Sequence, residues 1–378
     1  MKKSLIAAAL LGTFAASAFA APSVTLYGII DTGLNYTHYR ADDGNTASTD
    51  TFSMASGQSS SSRWGLRGDE KIGSVTVGFN LENGFNSDDG TETMSRLFGR
   101  EAQVNVSGAY GTLYAGRFGS IASDTGSIGY LGDVSAFPNA FGIVGTQKGS
   151  TGTAYDRYDN SLAYQTPTFG GLQGAIMYSF KGDTQSNEDS IKNARENSGN
   201  ADRYLAAGLR YKAGKAAVVL TGDMTMYGNA AKNVYHDVDN GYSFILGGNY
   251  DFGVAKVFAK ATYFDNQVNV LDSFSLIKDA RALSTPQALA LKGWGAELST
   301  AVPAFGGAFL GTVGYRDAKD VDNGSYKFKR WNAAVGYSYA FSKRTSVYAA
   351  AGYAQEKADS NGQKPSAAQA GFGLVHKF

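Results

Sequence analysis

The residues best suited to chemistry are scattered along this chain rather than gathered. Its histidines are His38, His236 and His376, the first two near long polar stretches, and there is no cysteine. A thiol enzyme, a disulfide scaffold and a cysteine zinc site are therefore excluded. No Gly-x-Ser-x-Gly elbow, phosphate-binding loop or His-Glu-x-x-His helix occurs, so those nucleophilic, nucleotide and zinc-protease chemistries lack their parts. Asp42-Asp43-Gly44 and Asp88-Asp89-Gly90 could meet a divalent ion, but neither has the twelve-residue spacing of a calcium loop. The chain reads as no enzyme, with no metal and no cofactor. What remains is charge set into alternating segments. Lys, Arg, Glu and Asn recur opposite apolar residues, as a water-facing wall with fixed charge would require.

The elements that carry those charges are strands. Among 378 residues, 48 are Gly, 23 Tyr, 22 Phe and only 6 Pro, which suits many strands and tight turns. The aromatic content argues against disorder, and the glycines lack a three-residue period, so the chain is not collagen. Lys plus Arg is 34 and Asp plus Glu 33. Without a concentrated basic footprint, no nucleic-acid partner is expected.

Residues 1–20 read as a signal peptide. Lys2 and Lys3 form a positive start, Leu5 to Ala16 an apolar run, and Ala18-Phe19-Ala20 a small-x-small cleavage site. The mature domain then runs 21–378. Beyond Ala20 no apolar run approaches a helical span. Instead, Ala255, Val257, Ala259, Ala261 and Tyr263 alternate with Lys256, Phe258, Lys260 and Thr262. Val75, Val77, Phe79 and Leu81 alternate with Thr76, Gly78, Asn80 and Glu82. Period-two alternation marks a half-buried strand. A soluble sandwich would alternate too, but its core has no room for so many Lys, Arg and Glu. Tyr27, Tyr36, Tyr178, Tyr250, Tyr263, Tyr339 and Tyr353 fall near strand ends, as a membrane-interface girdle requires.

Sixteen strands are expected, at 22–38, 58–69, 74–85, 96–108, 112–118, 155–166, 170–181, 201–212, 215–227, 241–251, 254–265, 289–300, 307–318, 326–339, 344–356 and 367–378. Short Gly-containing turns alternate with long Asp-, Asn-, Gly- and Ser-rich loops, the longest near 119–154. This predicts an all-β, 16-stranded antiparallel transmembrane β-barrel, short turns on one side and long loops on the other. Closure would satisfy the backbone groups that lipid cannot.

Several strings resemble the general porins of Gram-negative beta-proteobacteria. Ser23-Val24-Thr25-Leu26-Tyr27-Gly28, with Asp31 and Gly33, resembles their first strand, and Ser62-Arg63-Trp64-Gly65-Leu66-Arg67-Gly68 their second. Leu113-Tyr114-Ala115-Gly116-Arg117 resembles the strand before their constriction loop. Asn160-Ser161-Leu162-Ala163-Tyr164 with Pro167 and Gly170-Gly171-Leu172 resembles the segment after it. Gly373-Leu374-Val375-His376-Lys377-Phe378 resembles their C-terminal signature. Each string is short, but their order and spacing cover essentially the whole mature chain.

The resemblance implies a homotrimer in the outer membrane of a Gram-negative bacterium, in contact with lipid and lipopolysaccharide. It implies passive diffusion of ions and small hydrophilic solutes, and an inward-folded constriction loop, here 119–154. It places Arg63, Arg100 and Arg157, and more weakly Arg117, on the basic side of a constriction. Asp124 and Asp133, the acids of the loop, fall on the other side; Lys148 is the loop's one base. With these arginines lining it, the pore is expected to be weakly anion-selective, Lys256 and Lys260 adding to the same sign. Phe378 resembles the signal read by the barrel assembly machinery. A substrate-specific channel and a structural or adhesive barrel are the competing functions.

Overall fold

The computed structural model describes residues 23–44, 46–137, 157–182, 192–234, 238–268, 270, 275–277, 290–359 and 362–378. The expected signal peptide, Lys148 and His236 lie outside these residues. Seventeen strands form one sheet. They are β1 (Ser23–Arg40), β2 (Thr49–Ser56), β3 (Arg63–Ile72), β4 (Val75–Gly84), β5 (Glu101–Gly108), β6 (Gly111–Gly119), β7 (Arg157–Gln165), β8 (Leu172–Ser179) and β9 (Arg203–Ala213). There follow β10 (Ala216–Met226), β11 (Gly241–Asp251), β12 (Lys256–Gln267), β13 (Leu291–Ala304), β14 (Gly307–Asp320), β15 (Lys327–Ala340), β16 (Thr345–Ala358) and β17 (Ser366–Lys377). A short helix α1 (Asn229–Val234) lies between β10 and β11. No helix among the described residues is long and apolar enough to cross a membrane.

The ladders are antiparallel, and β17 returns to pair with β1 from Ile29↔Lys377 to Arg40↔Ser366. Closure leaves no open edge to face lipid. β2 and β3 both pair with β1, so they are two halves of one stave, and the barrel has sixteen. Sequence pattern starts that stave at 58; the chain instead enters it at Thr49 and breaks off at 57–62. Asp31 makes the break. Its carboxylate accepts the backbone N–H groups of Ser59 (2.8 Å) and Ser60 (2.7 Å), and its carbonyl accepts the N–H of Gly57 (3.0 Å). A Gly-Gln-Ser-Ser-Ser-Ser run has little strand preference of its own, so local bonds to Asp31 win.

The polarity of the wall is the reverse of a soluble protein. Leu209, Val218, Leu220, Phe244, Leu246, Leu298, Val313 and Val335 point outward and are exposed. Asp223, Ser243, Lys260, Glu297, Arg316 and Arg330 point inward and are buried. This is a lipid-facing apolar band around a polar interior. Phe252, Phe305 and Phe341 stand exposed where strands end or turn, the position an interfacial aromatic occupies.

Candidate functional site

The site begins with bases on one arc of the inner wall. Arg63 opens β3 and Arg157 opens β7, while Arg100 immediately precedes β5. Glu82 on β4 joins two of them: Arg100 Nε donates to its Oε1 at 2.7 Å, and Arg63 Nε lies 3.5 Å from its Oε2. Arg157 Nε donates to the Arg100 carbonyl at 3.0 Å. The fold therefore brings Arg63, Arg100 and Arg157 together, though they lie far apart in the sequence. Tyr27 faces in from β1 and donates to Glu82 at 2.9 Å.

Arg117 has a different task. Its Nη1 donates to Asp159 at 2.6 Å, beside Arg96 Nη1 at 2.9 Å, and its Nε donates to the Gly99 carbonyl. It ties β6, β7 and the 96–100 segment at the root of the long loop. Fork-shaped donors suit such multi-point ties.

Residues 120–137 of the loop after β6 turn inward and lie along the far wall. Glu101 holds its start, accepting the Ser127 N–H at 2.6 Å and the Ser127 hydroxyl at 2.9 Å. Ile121, Ile128, Tyr130, Leu131 and Val134 then pack on Tyr204, Ala206, Val219 and Ile245 of β9–β11. The wall is shaped to receive them: a Cβ at Gly208 would come within 2.5 Å of Ile121 Cγ2. Arg210 stacks over the Tyr130 ring at 4.6 Å, and burial holds the Tyr130 phenol above its ordinary pKa. Farther on, the Ala136 N–H donates to Ser299 at 2.9 Å and the Ser135 hydroxyl to Glu297.

The two loop acids are placed apart. Asp133 sits 2.7 Å from Lys212 Nζ and 3.8 Å from Arg210 Nη1, so bases of the wall it rests on occupy it. Asp124 is partly buried, within electrostatic reach of Lys260. Lys260 is itself buried against Glu297 at 3.3 Å, so it does not add the free positive charge that its sequence position suggests. Glu82, Glu101, Asp159 and Glu297 were missed as site residues. The polar parity of Asn80 and Glu82 was visible, but nothing local shows which charge an inward acid meets. A second buried group lies toward the long-loop end: Arg316 and Arg330 share Glu356, which also accepts the Leu276 N–H at 2.8 Å.

At the seam, Phe378 and Gly28 exchange two backbone hydrogen bonds of 3.1 Å, and the Phe378 ring covers Gly28 so closely that a Cβ there would meet it at 2.3 Å.

A closed sixteen-stave barrel with a charged interior and an inward-turned loop has the architecture of an outer-membrane channel. A family model described as Gram-negative porin matches residues 7–359. The chain belongs to that family. This porin is 34% identical over 411 aligned residues to an outer membrane porin protein of Bordetella pertussis, each chain covered in full. It is 29% identical over 389 residues to major outer membrane protein P.IB of Neisseria meningitidis, again covering both chains. Among solved structures it superposes on the anion-selective porin from Comamonas acidovorans with a TM-score of 0.66 and 23% identity, over 94% of this chain and all of that one. The porin is a general diffusion channel of the Gram-negative outer membrane.

Proposed function

We propose that the porin passes ions and small hydrophilic solutes with a weak preference for anions, set by Arg63, Arg100 and Arg157 at a constriction narrowed by the 119–154 loop. One observation supports this reading above others: Arg63 and Arg100 share the Glu82 carboxylate, and Arg157 joins them through the Arg100 carbonyl. Three bases against Glu82 and Glu101 on that arc give an anion the more favourable field. In a tenfold KCl gradient the single-channel reversal potential is expected to take the anion sign, well short of the ~59 mV of an ideal filter. A clear cation sign would overturn the preference. Saturable conduction, or block by one solute, would favour a substrate-specific channel instead.

The remaining parts of the reading concern assembly. Residues 1–20 act as a signal peptide and are removed before Ala21. The mature chain works as a channel and not as an enzyme, in a homotrimer set in lipid and lipopolysaccharide. Phe378 serves as the signal for the barrel assembly machinery, and its position at the β1–β17 seam supports a role at closure. Deleting Phe378 is expected to lower heat-resistant barrel in outer-membrane fractions several-fold while transcript stays level. Equal amounts of folded barrel would count against the signal.

A further inference from the structure

The outer wall carries a band of lysines that conduction does not use. On the outward parity of β13–β16, at the long-loop end, stand Lys292, Lys319, Lys327, Lys329 and Lys357. The registers set them side by side. Lys292 faces Lys319, and Lys319 in turn faces Lys327, across consecutive ladders. Lys329 faces Lys357 on the next pair of strands. Two acids share this outward face: Asp317 lies 3.4 Å from Lys329, and Asp359 pairs with Lys357. Among the described residues, no acid lies within ion-pair distance of Lys292, Lys319 or Lys327. Asp320, which Lys292 reaches electrostatically, is buried on the inward side and accepts the N–H groups of Asp322 and Asn323 at 2.9 and 2.8 Å.

Such a row is unfavourable by itself. Like charges directly opposite across a ladder repel, and Lys319 has one on each side. A phosphate group answers that repulsion, since ammonium groups bind it as point charges from several directions. Height in the wall identifies the source of the phosphate. Just below the lysines, on the same outward parity, Trp294 packs on Tyr315 at 5.4 Å and Trp331 on Tyr353 at 5.2 Å. Aromatics so placed mark the boundary between hydrocarbon and headgroups. Lys292 is two residues from Trp294, ~7 Å along the strand, so the lysines stand at headgroup level. The long loops beside them face outward from the cell. Below the aromatics an apolar groove crosses the same strands, lined by Leu298, Val313, Ala333, Val335 and Ala351. Phosphate-binding charge above and an acyl-sized groove beneath match a lipid rather than a free anion. Four strands span about 14 Å, room for a headgroup that carries two phosphates.

We propose that Lys292, Lys319 and Lys327, flanked by Lys329 and Lys357, dock the phosphorylated sugar headgroup of an outer-leaflet lipid, whose acyl chains lie in the groove below. This rests on the reading that the porin sits in lipopolysaccharide, and it assigns where that contact is made. It is separate from the arginine arc and stands whatever the sign of the channel's selectivity.

The test titrates the folded porin, stripped of bound lipid in detergent, with bis-phosphorylated lipid A and follows binding by native mass spectrometry. Lys292→Gln, Lys319→Gln and Lys327→Gln together are expected to weaken binding by at least ~10-fold, while arginine at the same three positions keeps it. Lys71→Gln with Lys343→Gln, at the short-turn end, should leave binding unchanged. These side chains point away from the interior, so the barrel and its conductance should persist in every variant. Lipid A binding equally to the wild type and the triple glutamine variant would overturn the assignment while leaving the contact with lipopolysaccharide intact; no binding to the wild type would remove both. Equal binding of lipid A stripped of its phosphates would overturn the role of the lysines, and displacement by an equal concentration of inorganic pyrophosphate would make the row a free-phosphate site. Loss of the oligomer in the triple variant would assign the row to a contact between copies instead.

Discussion

Replacing Arg63, Arg100 and Arg157 together with serine is expected to turn the porin from anion-preferring to cation-preferring. The reason is the company these arginines keep. Glu82 now meets Arg100 at 2.7 Å and Arg63 at 3.5 Å; without them it faces the water path as an unopposed negative charge, with Glu101 on the neighbouring strand. A unit charge about 5 Å from a passing ion is worth ~0.8 kcal/mol in a water-like dielectric. Removing one lowers the anion's permeability and raises the cation's by roughly fourfold each, and removing three shifts their ratio by well over two orders of magnitude. The measurement is the reversal potential in a KCl gradient, repeated at low and high salt because the field is screened. Lysine at the same three positions should keep the anion sign, since charge rather than fork geometry carries the effect. A triple serine variant that stays anion-preferring would remove these residues from the selectivity argument.

The second large effect is expected from unseating the loop. Tyr130 is 1% exposed and Ile121 is fully buried, both against the β9–β11 wall. Truncating a buried aromatic to alanine costs about 3–5 kcal/mol and a buried isoleucine about 2–5 kcal/mol. Together these are comparable to what holds a loop of this kind in place, because the polar anchors at Ser127, Ser135 and Ala136 each contribute on the order of 1–3 kcal/mol. Tyr130→Ala with Ile121→Ala should therefore release the loop while the staves, whose ladders do not involve it, stay closed. Single-channel conductance should rise about twofold with flickering, and liposome swelling should admit larger sugars. Unchanged conductance with an intact strand signal in circular dichroism would mean that the loop does not set the narrowest section.

The stave formed by β2 and β3 shows how far sequence pattern reaches and where it stops. Its second half was legible because Arg63 to Gly68 alternates in the usual way. Its first half was not, since Thr49 to Ser56 looks like the polar loop around it; those residues are strand because β1 supplies a ladder from Thr32↔Ser56 to Tyr39↔Thr49. The break between the halves depends on Asp31, far back in sequence, and on Tyr348 from the other end of the chain, which donates to the same carboxylate at 2.7 Å. Propensity at 57–62 gives no hint of that partner.

The candidate site divides in the same way. Membership of the polar face is a local property: side chains alternate with period two, so Glu82 and Lys260 could be assigned to the polar face from their neighbours alone. Strand number, closure and the outward turn of apolar residues also follow from local pattern and loop length, because a membrane admits few ways to satisfy a backbone. Which interior charges meet is not local. Glu82 reaches Arg63 and Arg100 only through the β3–β4 and β4–β5 registers. Asp133 is bound to Lys212 rather than left free because the loop lies on β9–β11. Lys260 is cancelled by Glu297 because β12 and β13 place them directly opposite. A period of two tells a residue which side of the wall it faces; only the closed barrel, with the path of its inward loop, decides what charge faces it there.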